Sequence, residues 1–103
     1  SRVIEMAYFR VGFQGKGIRL PFDDEDPAIG FFTTRVVNAN SPDDAADVAR
    51  KVVLAEWRDG GAYAAVNTGE IPRLSVESVV GLGLVRGLFG RKPAGYTFYR
   101  YED

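Results

Sequence analysis

Phe31-Phe32-Thr33-Thr34-Arg35-Val36-Val37, followed by Asn38-Ala39-Asn40-Ser41-Pro42-Asp43-Asp44, decides the fold. The first seven residues are aromatic and β-branched, types that pack well on a pleated surface and favour a strand. Asn38 to Ser41 interrupts the run. Ser41 then offers a hydroxyl cap, Pro42 suits the first helical position, and Asp43 and Asp44 favour the positive end of a helix dipole. Strand, cap and helix therefore follow one another within a short stretch.

The helix is predicted over 42–58. Its apolar positions are Ala45, Val48, Ala49, Val52, Val53 and Trp57, at steps of three and four that gather on one stripe. Asp44 and Asp47 come early, Arg50, Lys51 and Arg58 late, as the dipole prefers. Gly60-Gly61 is the expected stop, because glycine takes the left-handed cap conformation without strain. The small alanines let the helix lie close to a sheet, and Trp57 is expected to plug one end of the core.

Upstream, Ala7, Phe9, Val11 and Phe13 alternate with Tyr8, Arg10 and Gly12, the period of a half-buried strand. Gly15-Lys16-Gly17 loosens the chain, and Leu20-Pro21-Phe22 leads to an acidic tip, Asp23-Asp24-Glu25-Asp26-Pro27. The second strand is expected over about 30–38, antiparallel to the first. Residues 62–66 read as either a short strand or loop, and Asn67-Thr68-Gly69 as a turn. Leu74 to Val80 alternates and reads as a third strand. Tyr96 to Tyr101 reads as a fourth, paired with the third, and the glycine-rich piece 81–95 connects them.

The 103 residues fit one domain, 1–103. Such a domain buries roughly 60–70% of its unfolded surface, enough for one core. Hydrophobic residues make up 46% and charged residues 26%, which argues against disorder. Met6 is the only methionine, so residues 1–5 read equally as vector or upstream sequence before a native start at Met6, or as Arg2 to Glu5 extending the first strand.

Composition excludes much chemistry. There are no cysteines and no histidines. Disulfides, thiolate nucleophiles, Cys/His metal sites and the usual near-neutral acid–base group are all missing. Ser41, Ser75, Ser78, Thr33 and Thr34 lack an imidazole to activate them. An enzyme would need carboxylate or tyrosine chemistry from Glu77, Tyr8, Tyr63 and Tyr99 in one pocket. No catalytic residue, metal site or cofactor is assigned. The formal net charge of −1 gives no overall attraction for nucleic acid or an anionic membrane. No run is long and apolar enough to cross a bilayer and no secretory pattern is legible, so a cytoplasmic setting is expected.

Three further segments invite a binding reading. Gly81-Leu82-Gly83-Leu84-Val85-Arg86-Gly87 follows a strand, but its third glycine falls one position late for a dinucleotide fingerprint, and too few residues follow it. Arg86, Arg91 and Lys92 on this glycine-rich loop form the expected site for a small anion, a phosphate or a carboxylate. Leu82, Leu84, Val85, Leu88 and Phe89 make the same loop too apolar to stand free: either it folds back on its own core, or these are the interface residues of a homodimer. Asp23 to Asp26 lacks the alternating spacing of a calcium loop and reads as a solvated tip. Tyr96, Phe98, Tyr99 and Tyr101 with Arg100, reinforced by Tyr8 and Arg10, sketch a stacking platform. No RNA-recognition signature is legible on two adjacent strands, so an aromatic edge strand is expected and nucleic acid is not.

The pieces Phe31 to Trp57 and Leu74 to Val80 give a layout that resembles small uncharacterised bacterial α+β domains of ferredoxin-like or split βαβ type. The resemblance covers about two-thirds of the chain and carries no catalytic residues across. HicB-type antitoxins join a hairpin to a similar helix, but their proline-glycine-cysteine turn and separate DNA-binding segment are absent, leaving a regulatory antitoxin role as a minor alternative. The expectation is an α+β fold: a four-stranded, mainly antiparallel sheet with one helix on one face. Its core is predicted from Phe9, Val11, Phe13, Val48, Val52, Trp57, Leu74, Val76 and Phe98. The expected function is a non-enzymatic interaction or assembly domain that associates with itself.

Overall fold

A long antiparallel hairpin forms the spine. In the computed structural model, which describes residues 7–22, 25–83 and 95–100, β1 (Ala7–Phe22) runs out and β2 (Glu25–Ala39) runs back. Both strands are longer than their alternation alone indicates. The pairing continues from Ala7↔Ala39 to Phe22↔Glu25, so Glu25 and Asp26 belong to β2 rather than to a loop. Gly17, at φ 99°, lies where the β1–β2 register shifts beyond Lys16. β1 carries two extra residues over this step, the positive φ is easily taken by glycine, and the pairing resumes at Leu20↔Ala28.

Ser41 caps the helix as its sequence indicates: its side chain accepts the Asp44 N–H at 3.1 Å. α1 spans Pro42–Ala55, with Glu56 as C-cap. Fourteen residues rise about 21 Å, less than half the length of strands of this size. The connection after α1 covers part of the rest. Residues 62–66 form turns, resolving the strand-or-loop alternative. Thr68 N–H bonds Arg19 O at 2.9 Å and Glu70 N–H bonds Gly17 O at 2.8 Å, so this connection lies along β1 beyond the paired strand. Gly69 is required there: a Cβ would stand 2.6 Å from Arg19 N and Gly17 O.

β3 (Arg73–Gly81) pairs with β1, and β4 (Tyr96–Tyr99) with β2. The sheet order is β3-β1-β2-β4, with all three pairings antiparallel. This establishes the α+β class with a single helix on a four-stranded open sheet. It corrects the expected partner of the last strand. β4 lies against β2, and the central hairpin separates it from β3.

The core gathers on the helix side. Val11, Phe13, Phe31, Ala45, Ala49, Val53 and Trp57 are buried, with Phe9, Leu74 and Phe98 packed against them. Three expected core residues, Val48, Val52 and Val76, are exposed. Val48 and Val52 are 41% and 42% exposed. The buried stripe is Ala45, Ala49, Val53 and Trp57, and its alanines bring the helix close to the sheet on that line. Val48 and Val52 fall to its flank. Val76 is 39% exposed although it pairs with buried Phe13, because β3 is an edge strand. A bulge opposite Gly12/Phe13 shifts the β3 alternation, so Leu74 and Val79, five apart, both reach the core.

Trp57 is the centre of an aromatic stack. Phe31 lies 5.3 Å away on an almost parallel plane and Tyr63 at 4.6 Å, while Tyr96 and Phe98 meet it edge-on. Offset stacks and edge-to-face contacts suit the ring quadrupoles and add about 0.5–1.5 kcal/mol per pair beyond burial. Phe31 lies across Gly15, where a Cβ would come within 2.2 Å of its ring.

Candidate functional site

β2 alternation sends Phe31, Thr33, Arg35 and Val37 to the helix side. Arg35 is therefore a buried cation, and a buried charge must find a partner. The last turn of α1 provides it. Arg35 Nη1 and Nη2 each donate to a Glu56 carboxylate oxygen at 3.1 Å, a two-point contact. Tyr96 OH donates to Glu56 Oε1 at 2.5 Å, and Trp57 Nε1 donates to Tyr96 OH at 3.1 Å. The Arg35 guanidinium also sits over the Tyr96 ring, 5.2 Å from its centre. Thr33 Oγ1 accepts from Arg35 Nε at 3.4 Å and donates to Gly95 O at 2.7 Å. Among the described residues, no buried side-chain nitrogen or oxygen lacks a partner.

The electrostatics of this cluster are those of a clamp. Burial alone would raise the Glu56 carboxyl, but hydrogen bonds from Arg35 and Tyr96 and the Arg35 charge outweigh it, so the carboxyl is held below its ordinary range. Burial, then the bond to Glu56, pushes the Tyr96 phenol well above its ordinary value, against a smaller opposite pull from the Trp57 N–H. For Arg35 burial works against the charge, yet bonding to Glu56 and the neighbouring Tyr96 raise it overall. None of these groups is poised to exchange a proton near neutral pH. The cluster ties the end of α1 to β2 and β4. One signal for it was present in the sequence, an arginine on the core face of an alternating strand. Its partner was not legible there.

The opposite face of the sheet is built differently. Register places Tyr8, Arg10, Gly12, Gln14 and Lys16 of β1 on it, beside Phe32, Thr34, Val36 and Asn38 of β2. β3 adds Arg73, Ser75, Ser78 and Val80, and β4 adds Thr97 and Tyr99. Phe32 is 46% exposed and lies 5.5 Å from the Tyr99 ring. Gln14 Nε2 donates to Tyr99 OH at 3.0 Å. Tyr99 lies across Gly30, where a Cβ would meet its ring at 2.2 Å. Among the described residues no acid occupies a paired position on this face, and Glu77 is the extra residue at the β3 bulge, where it is exposed. The described acids lie on the hairpin end, the helix, the connection and that bulge. Arg73 reaches back to Glu70 at 3.1 Å, both side chains well exposed.

Other sequence-derived sites separate in space. Leu82 donates its backbone N–H to Tyr8 O at 2.8 Å, extending β3 along β1, and is half-buried. Leu84, Val85, Arg86, Leu88, Phe89, Arg91 and Lys92 lie outside the described residues, as do Asp23, Asp24, Tyr101 and residues 1–5. Tyr63 stacks on Trp57 on the helix side, Tyr8 and Tyr99 are on the other face, and Glu77 is exposed on edge strand β3. The tyrosine and carboxylate groups proposed for catalysis are not brought together. Tyr96 and Phe98 point to the core while Tyr99 points away, so the aromatic strand divides between two roles. Glu25 forms an ion pair with Arg100. An open hollow of about 520 Å³ along the exposed flank of α1 is bordered by Arg50, Lys51, Leu54 and Arg58, with Arg50 bonded to Asp47 at 3.4 Å.

No helix among the described residues is long and apolar enough to cross a membrane. No protein-family model matches this chain, and no curated protein or solved structure shows significant similarity to it.

Proposed function

We propose that this chain is a non-enzymatic interaction domain that works through the sheet face opposite its helix. One observation carries the reading: the two faces divide the labour. The helix side holds the core and the closed Arg35–Glu56–Tyr96 cluster. The other side presents basic and aromatic residues at paired positions, with exposed Phe32 beside Tyr99, and none of these is needed to fill the core. Proteins that expose ring surface in a polar setting commonly do so to dock a partner.

The test is retention from cell extract on immobilised protein. The wild type should retain a partner, Phe32→Asp should lose it with an unchanged melting temperature, and Lys51→Glu on the helix should keep it. Equal retention by Phe32→Asp and the wild type would refute the use of this face.

Self-association is a second reading. It is favoured by Val48 and Val52, which follow one another at a four-residue step and are exposed. A second copy would remove that apolar strip from water. Sedimentation showing dimers for the wild type and monomers for the Val48→Ser/Val52→Ser double variant would support it. A monomeric wild type at high concentration would end it.

A further inference from the structure

We propose that a second copy of this chain docks on the outer edge of β2, edge to edge and α1 to α1, about a twofold axis. This deepens the self-association reading and rests on it. β4 covers β2 only from Gly30 to Thr33. At Gly95 the chain has left the ladder, its carbonyl accepting the Thr33 hydroxyl instead. Register would set Pro93 opposite Val36 in any continuation of β4, and proline has no N–H to give that ladder. Tyr8 turns its carbonyl towards Leu82 on the β3 side. By alternation Arg35 and Val37 use their backbone groups on β1, while Thr34, Val36 and Asn38 turn theirs outward. Among the described residues, no strand pairs with that outward stretch. An unpaired row of this kind is a template for another chain.

α1 presents a matching flank to this edge. Asp44, Val48, Lys51, Val52 and Ala55 follow one another on one side of the helix, and all are exposed. Glu56, four residues after Val52, reaches Arg35 of β2 and Tyr96 of β4, so this flank faces the β2 edge and not β3. A twofold axis at Val36 sets Val36 against its own copy and Thr34 against Asn38, all of them residues with outward backbone groups. The same axis runs the two helices antiparallel. With Val48 against its own copy, Asp44 of each chain stands level with Lys51 of the other. Opposite charges then meet at both ends of the strip, and the valines between them leave water. Charge therefore selects a second copy over a neutral apolar peptide, which would cover Val48 and Val52 but bring no counter-charge to Asp44 or Lys51. The contact uses the same patch on both chains, so it closes at a dimer.

The experiment is sedimentation equilibrium of the whole chain, read as a dimer dissociation constant. The wild type should dimerise. Asp44→Lys and Lys51→Asp should each weaken the dimer about tenfold, because each sets like charges together at both ends of the strip. The double swap Asp44→Lys/Lys51→Asp should return the constant to within about threefold of the wild type, the signature of a direct pair. Val36→Pro removes an N–H that serves no bond to β1 and should abolish the dimer. Phe32→Asp, on the open sheet face, should leave it unchanged. Circular dichroism and melting temperature confirm that each variant is folded, and if Val36→Pro does not fold the charge swap decides alone. A dimer that persists in folded Val36→Pro, or a double swap no tighter than its single changes, overturns the proposal. If Val48→Ser/Val52→Ser still dissociates that dimer, the self-association reading survives with another geometry. A monomeric wild type ends both.

Discussion

Arg35 and Glu56 meet at two points, Nη1 to Oε2 and Nη2 to Oε1, each 3.1 Å long, where the end of α1 crosses β2. Arg35 is buried and Glu56 is about one-third exposed. Removing the carboxylate leaves the guanidinium buried without its counter-charge. Breaking a fully buried pair costs about 3–5 kcal/mol, and the partial exposure of Glu56 reduces this. Glu56→Gln is expected to cost about 2 kcal/mol in urea unfolding, and the Arg35→Met/Glu56→Leu double variant less than the sum of its single changes. Additive costs would show that the contact is not coupled.

Stability should fall at both ends of the pH scale for separate reasons. The Glu56 carboxyl is held below its ordinary 4.5, so its contribution is present above that value and is lost as pH falls through the lower folded value. The Tyr96 phenol is raised above its ordinary 10.0, so its contribution is present below pH 10 and is lost as pH rises beyond it. Melting temperature against pH should show both limbs. Glu56→Gln should flatten the acid limb and Tyr96→Phe the alkaline one. An acid limb unchanged in Glu56→Gln would refute the assignment.

Trp57 is 2% exposed and stacked between Phe31 and Tyr63. As the sole tryptophan it should report unfolding by a red shift of its emission. Trp57→Ala should cost about 3–5 kcal/mol by leaving a cavity. Trp57→Phe keeps much of the stack but loses the bond to Tyr96 OH and should cost less. A shift in denaturation midpoint below 1 kcal/mol for Trp57→Ala would contradict this packing, on the scale of about 3 kcal/mol or more for such truncations.

Gly15 is needed because the Phe31 ring occupies the space above it. Gly15→Ala should cost about 2 kcal/mol by overpacking. Adding Phe31→Leu should recover part of that loss, despite being destabilising alone. Equal costs of Gly15→Ala in the two backgrounds would show that the ring is not the obstacle.

Val48 and Val52 provide the opposite case. Their exposure predicts that Val48→Ser or Val52→Thr changes the stability of the monomer by no more than about 0.5 kcal/mol. Ala49→Leu, on the buried stripe, should cost about 1–3 kcal/mol because the helix lies too close to the sheet for the extra atoms. Denaturant melts of the three variants check the orientation of the helix. A larger loss at Val52 than at Ala49 would reverse it.

The candidate surface was only partly legible. Tyr8, Arg10 and Tyr99 stood out by residue type, but Phe32 read as one more strand aromatic. Its position beside Tyr99 depends on β4 pairing with β2, and strand pairing over sixty intervening residues leaves no local trace. Arg35 was similar: its place on an inward parity was readable, and Glu56 as its partner was not.

Alternation, the Ser41-Pro42 cap and the helical spacing fix period, direction and element order, because these depend on neighbours a few residues apart. By itself, therefore, the chain determined two hairpin strands, a capped helix, and two later strands. Tertiary structure decided which edge each later strand joined, which flank of the helix met the sheet, and which charges were enclosed. Those outcomes come from steric fit and desolvation between distant segments: alanines where α1 approaches the sheet, a bulge that shifts β3, and a buried guanidinium that Glu56 at the end of α1 neutralises.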